Sequence, residues 1–158
     1  GASDPRQPFA ASLVDALGDT GPIVVYSGFE SVRIRELAAA LPGLSARLLA
    51  LLGGRLVDLL QLVRNHCYHP AFHGSFSIKS VLPALVPQLD YHDLTVSEGA
   101  MASIAYAEMI RPSTPPDRRQ EIRANLLAYC ERDTLAEVEL SGSLCRVVRS
   151  CASYPLWH

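Results

Sequence analysis

The sequence has 158 residues and a mass of 17.2 kDa, with 49% hydrophobic and 19% charged residues. That is one domain's worth of chain, able to bury a core, and its composition excludes disorder as the default. A formal net charge of −2 excludes a global basic field that would pull the chain onto nucleic acid, yet leaves open a metal site built from clustered acids.

In chain order, Gly21-Pro22 opens a β-branched run, Ile23 to Tyr26, which reads as a buried strand broken by Ser27-Gly28. A helix is predicted from Glu30 to Leu41, with Val32, Leu37 and Leu41 among its apolar positions, ending at Pro42-Gly43. Leu44 to Leu52 reads as a second, apolar helix stopped by Gly53-Gly54. Arg55 to Asp58 is a short strand that runs into a helical Leu59 to Arg64. Asn65 to Phe76, with His66, His69, His73, Pro70 and Gly74, reads as a loop. Ser77 is placed to cap a short helix through Leu85, and Ser97 to cap another over Glu98 to Ile110. Arg111 to Pro116 is a Pro-rich loop. Pro116 then suits the first turn of a long helical region reaching about Val148, with a break near Arg132 as the alternative to one continuous helix. The tail from Tyr154 has no periodicity. The expectation is a helix-rich α/β chain with two short strands, too few to form the central layer of a domain this size.

Two segments are placed to do chemistry. Ile122, Leu126, Tyr129, Asp133, Ala136 and Leu140 alternate spacings of four and three, so they share one helix face. That face is apolar except for a phenol and a carboxylate one turn apart. A carboxylate there needs a partner. Asp133 is read either as the N-cap of a second helix starting at Thr134, or as a metal ligand with Tyr129 beside it to bond a water or phosphate. The second segment is Val24 to Glu30, where a strand ends, a Ser-Gly turn follows and an acid opens a helix. Strand ends of this kind host chemistry in α/β folds, while an acid at that place equally suits the helix dipole.

These segments resemble the DEDD exonucleases of the ribonuclease-H-like superfamily, in their tyrosine variant. Tyr129-Cys130-Glu131-Arg132-Asp133 matches the Tyr-x-x-x-Asp motif, and Ser27-Gly28-Phe29-Glu30 matches the middle motif, with Ser for Asn and Glu for Asp. Three strings look like a bacterial family known as domain of unknown function 2779, related to those exonucleases: Tyr68-His69-Pro70, Gly74 to Leu85, and Leu126 to Ala136. The group's first motif, Asp-x-Glu, is missing, since no Asp here has Glu two residues on. The resemblance therefore implies a single partial domain over residues 1–158. It would be the C-terminal portion of a ribonuclease-H-like exonuclease fold whose first strands lie upstream in the same polypeptide.

The function so implied is metal-dependent 3′–5′ hydrolysis of DNA or RNA, inactive in the isolated chain. Glu30 and Asp133 would hold Mg²⁺ or Mn²⁺, two ions in the complete domain, about 3.5–4 Å apart. Tyr129 would orient the attacking water. Asp58 and Ser27 would support the ligands from behind. Lys79, the only lysine among fourteen basic residues, and Ser75 would contact the substrate, the nucleic acid 3′ end. A solvated Lys79 is the simpler reading. The competing reading is a catalytically dead helical module that binds a partner protein or nucleic acid. A zinc site at His66, Cys67, His69 and His73 fits no established ligand spacing. No uncharged run approaches the roughly 20 residues of a membrane span, and the first six residues lack a signal peptide's pattern. The four cysteines form no C-x-x-C pair. The expectation is a soluble, cytoplasmic protein with no membrane partner.

Overall fold

A computed structural model describes residues 4–152, with the side chains of 148 and 150–152 left out; the tail from Tyr154 lies outside. The elements are α1 (Arg6–Leu17), β1 (Ile23–Val25), α2 (Phe29–Ala40), α3 (Ser45–Leu51), β2 (Leu56–Asp58), α4 (Leu59–His66), α5 (Ile78–Leu85), α6 (Gly99–Met109) and α7 (Pro116–Ala152), with short 3₁₀ turns at Pro42–Leu44 and Pro70–Phe72. The chain is helix-rich, with one small parallel sheet among the described residues, and it divides into two compact units, Gly1–Tyr68 and His69–His158.

In the first unit β1 and β2 pair in parallel, Ile23 opposite Leu56 and Val25 opposite Asp58. The core packs Ala10 and Val14 of α1 against Ile34 and Ala38 of α2 and Leu48 and Leu51 of α3. α1 is an element the sequence reading misses. Pro5 is its N-cap residue and Pro8 lies in its first turn, where a missing N–H does no harm. Ala10, Val14 and Leu17 then mark its inner face, and Gly18, at φ +53°, ends it. In α2 the inward residues are Ile34 and Ala38, whereas Val32 is exposed.

Arg55 ties the strands to α1. Its guanidinium donates to the carbonyls of Leu17, Gly18, Thr20 and Gly21 at 2.6–2.8 Å. It thereby caps the last turn of α1 and fixes the connection into β1, as a five-donor fork can and an ammonium cannot.

In the second unit the long helix α7 is the spine. Ile122, Ala136 and Leu140 are buried along the face that the four-and-three spacing picks out. α5 and α6 pack on it. The region expected as loop between Asn65 and Phe76 is more ordered than that: α4 reaches His66, and a 3₁₀ turn buries Phe72 completely. Ser97 does not cap α6, which starts at Gly99 with Glu98 before it. Ser77 precedes α5, but its hydroxyl makes no capping bond; its backbone carbonyl accepts from Ser80 and Val81 instead. No helix among the described residues is long and apolar enough to cross a membrane.

Candidate functional site

Glu30, Ser27 and Asp58 belong to the first unit; Tyr129, Asp133, Lys79 and Ser75 belong to the second.

Asp58 ends β2 and caps α4. Its Oδ1 accepts the N–H groups of Leu60 at 2.9 Å and Gln61 at 3.3 Å, and also that of Ser27 at 3.2 Å, just beyond β1. One carboxylate oxygen thus fastens the two strand ends to each other. Ser27 takes a φ of +113°, a conformation costly for any residue but glycine, and the bond from its N–H to Asp58 helps to hold it. Its hydroxyl accepts from the Phe29 N–H at 3.3 Å, at the start of α2. The turn so built delivers Glu30 into the first turn of α2, where the helix dipole favours an acid. Glu30 Oε2 is buried and has no hydrogen-bond partner. It lines a groove of about 670 Å³ whose apolar walls come from α1, β1 and α2. A buried carboxylate oxygen left unpaired is costly and calls for a donor or a cation.

Asp133 is not an N-cap. α7 runs unbroken through it, with Ala136 and Leu140 buried on the turns that follow, while the Thr134 hydroxyl donates back to the Cys130 carbonyl at 3.0 Å. The partner that its half-buried carboxylate requires is Tyr91, whose phenol donates to Oδ1 at 2.8 Å. Tyr91 is 8% exposed. Burial first, then the bond to Asp133 and its charge, hold the Tyr91 phenol well above the usual tyrosine range. Burial and the same carboxylate raise Tyr129 too, one turn before Asp133 on α7. Two phenols therefore face one carboxylate.

The neighbouring Arg132 works on the same stretch of chain. It donates to both carboxylate oxygens of Asp93 at 2.8 Å and to the Asp90 carbonyl, and it holds the Asp93 carboxyl below its ordinary value. Consecutive residues of α7 thus clamp Asp90, Tyr91 and Asp93. The sequence reading missed Tyr91. The available signal was the requirement that Asp133 have a buried donor, but no spacing rule links positions 42 residues apart.

Lys79, on the first turn of α5, lies with Nζ 5.6 Å from the centroid of the Tyr91 ring, within cation–π range. It lines two depressions. One, about 270 Å³, it shares with Asp90, Tyr91, Ser97 and Glu98; the other, about 340 Å³, with His73 and Ser75. The two residues expected to contact substrate therefore share a depression. Ser75 Oγ accepts the Ser77 N–H at 3.2 Å, so it shapes the entry to α5 as well. His69 Nδ1 accepts the Ala71 N–H at 3.2 Å and caps the 3₁₀ turn. Among the described residues no group of three or more His, Cys, Asp or Glu side chains comes together to hold a metal ion.

Neither the curated proteins nor the solved structures contain a match to this chain. A family model described as "Domain of unknown function (DUF2779)" matches residues 1–77, the first unit together with the start of the second up to Ser77. It takes in Ser27, Glu30, Asp58, Tyr68-His69-Pro70 and Ser75, and stops short of Lys79, Tyr129 and Asp133. The relationship that residues 1–77 support is to the DUF2779 family.

Proposed function

We propose that this chain is the C-terminal part of a metal-dependent 3′–5′ exonuclease of ribonuclease-H-like fold, completed by a segment upstream in the same polypeptide. The observation that carries the reading is the buried, unpartnered Oε2 of Glu30, the acid that the middle motif assigns to a metal ion. The donor set, carboxylates and phenols, suits hard cations such as Mg²⁺ or Mn²⁺. In this reading Glu30 and Asp133 each supply a carboxylate, and the acids of the first motif come from the upstream segment.

When bound, the ions would polarise the phosphodiester, lower the pKa of a water and stabilise the leaving 3′ oxygen. The chain's own residues have separate tasks. Glu30 supplies a carboxylate from the first turn of α2, held in place by the Ser27 turn and Asp58. Asp133 supplies another from the middle of a rigid helix. Tyr91 donates to Oδ1 and steadies that carboxylate. Tyr129, a phenol kept neutral by burial, donates to and orients the attacking water. Lys79 and Ser75 offer a cation and a hydroxyl to phosphate in the depression they share.

Asp133 also supports a second reading, a catalytically dead module binding a partner protein or nucleic acid. Its bond to Tyr91 gives it a structural task that needs no metal.

Mn²⁺ binding by the natural full-length protein, followed by electron paramagnetic resonance, separates the two. The exonuclease reading expects bound Mn²⁺ that is lost in Glu30→Gln and in Asp133→Asn, with the helical circular dichroism retained. Absence of bound Mn²⁺ in the folded full-length protein would overturn it.

A further inference from the structure

We propose that the depression shared by His73, Ser75, Lys79 and Ser80 is a seat for a dianionic phosphate group, free or as the end of a mononucleotide, and that it fills without a metal ion. The seat rests on the geometry of the second unit; that nucleic acid supplies the phosphate rests on the reading above.

Lys79 is half-buried. Among the described residues its ammonium makes no hydrogen bond and no ion pair; its contact is the face of the Tyr91 ring, 5.6 Å from Nζ. A cation taken partly out of water without a counter-ion is costly. The second residue of α5 is also the unfavourable end of a helix for positive charge. An anion beside Nζ relieves both costs. Lys79 borders two depressions, and their charges differ. The one it shares with Tyr91 also carries Asp90 and Glu98, whose carboxylates repel an anion. The other, about 340 Å³, has no carboxylate in its lining among the described residues. An anion that reaches Lys79 therefore settles on that second side.

The same side is rich in donors. Ser75 Oγ accepts the Ser77 N–H at 3.2 Å, which leaves its own proton to give to a ligand. Ser80, the residue after Lys79, adds a second hydroxyl, and His73 is a second group able to carry positive charge. A phosphate monoester carries up to about two negative charges at neutral pH and three free oxygens. Two cationic side chains and two hydroxyls match that better than an internal phosphodiester, which has one charge and two free oxygens. Pro83 and Ala84 of α5, with Ala71, form an apolar wall beside these donors, against which a sugar or base can lie. The volume is at the small end of the range for ligand sites. A hard cation would need carboxylate oxygens, so phosphate is held here by the side chains directly.

Isothermal titration calorimetry of the natural full-length protein in EDTA tests this. The probes are inorganic phosphate, a nucleoside 5′-monophosphate and a dinucleotide without a terminal phosphate. The first two should bind, and the dinucleotide at least about tenfold more weakly. A gain from phosphate to monophosphate assigns the seat to a nucleotide end, and equal affinity assigns it to the phosphate group alone. Lys79→Gln should weaken phosphate about tenfold or more, Lys79→Arg by about threefold or less, and His73→Gln several-fold. Glu98→Gln should leave binding unchanged, because Glu98 lines the other depression. Circular dichroism checks that each variant is folded. No phosphate binding by the folded protein would overturn the proposal, as would unchanged binding in Lys79→Gln or equal binding of the dinucleotide. Tighter binding in Glu98→Gln would place the anion on the Tyr91 side and overturn it too. Phosphate binding that depends on Lys79, in a protein that binds no Mn²⁺, keeps the seat and removes the exonuclease reading; the reverse result removes only the seat.

Discussion

Replacing Tyr91 with Phe deletes one hydroxyl and keeps the ring that Lys79 approaches and the core contains. The hydroxyl donates at 2.8 Å to a half-buried carboxylate, and a hydrogen bond to a charged group contributes about 1.5–3 kcal/mol. Part of the loss is recoverable, since Tyr129 still faces Asp133 and water can reach the freed lone pair, so the lower half of that range is expected. The assay is native-state amide exchange at Ala136 and Leu140, the buried residues following Asp133 on α7. Their opening free energy should fall by about 1.5–2 kcal/mol, which quickens exchange roughly ten- to thirtyfold. Asp133→Asn should act on the same interaction, so the double variant should cost less than the sum of the singles. Additive costs, or exchange unchanged within about twofold in Tyr91→Phe, would refute the claim that the phenol is what satisfies Asp133.

Three further outcomes follow from the same contacts. Arg55→Lys should destabilise the first unit by about 2–3 kcal/mol in urea unfolding, because a single ammonium cannot reach four carbonyls spread over Leu17 to Gly21. Asp58→Ala should cost about 1–2 kcal/mol as a lost helix cap and should also quicken exchange of the Ser27 amide, which a cap confined to α4 would leave alone. Burial pushes the Tyr26 phenol up to about 12, and Tyr91 and Tyr129 are raised as well. Groups whose folded pKa lies above the unfolded value of about 10 stabilise the protein fully below pH 10 and lose that contribution as pH rises through the folded values. Unfolding should therefore become easier above pH 10, and spectrophotometric titration should show tyrosines ionising late; normal titration of all six tyrosines would contradict this.

The elements whose signals are local were readable. Ile23 to Val25 and Leu56 to Asp58 are strands within a residue of the expected bounds, and the stripe from Ile122 to Leu140 faces inward as its spacing implies. One element and one role were not legible, for different reasons. α1 hides behind Pro5 and Pro8, residues that break a helix in its middle and suit it at its start. The choice between cap and interior for Asp133 turned on a phenol 42 residues away, and nothing near Asp133 in sequence reveals it. The same holds for Arg55, an ordinary strand residue by pattern and the tie of the first unit by contact. Glu30 was placed correctly at the start of its helix, but its unpaired oxygen is a property of packing that spacing does not carry.

The most direct test of the central claim is release of mononucleotides from a 5′-labelled oligonucleotide by the natural full-length protein in Mn²⁺. Stepwise shortening from the 3′ end is expected, abolished by chelation, by Glu30→Gln and by Asp133→Asn. Tyr129→Phe should lower kcat by about 10²–10⁴ if its phenol orients the water. A folded, Mn²⁺-supplied full-length protein that leaves both DNA and RNA oligonucleotides intact would contradict it.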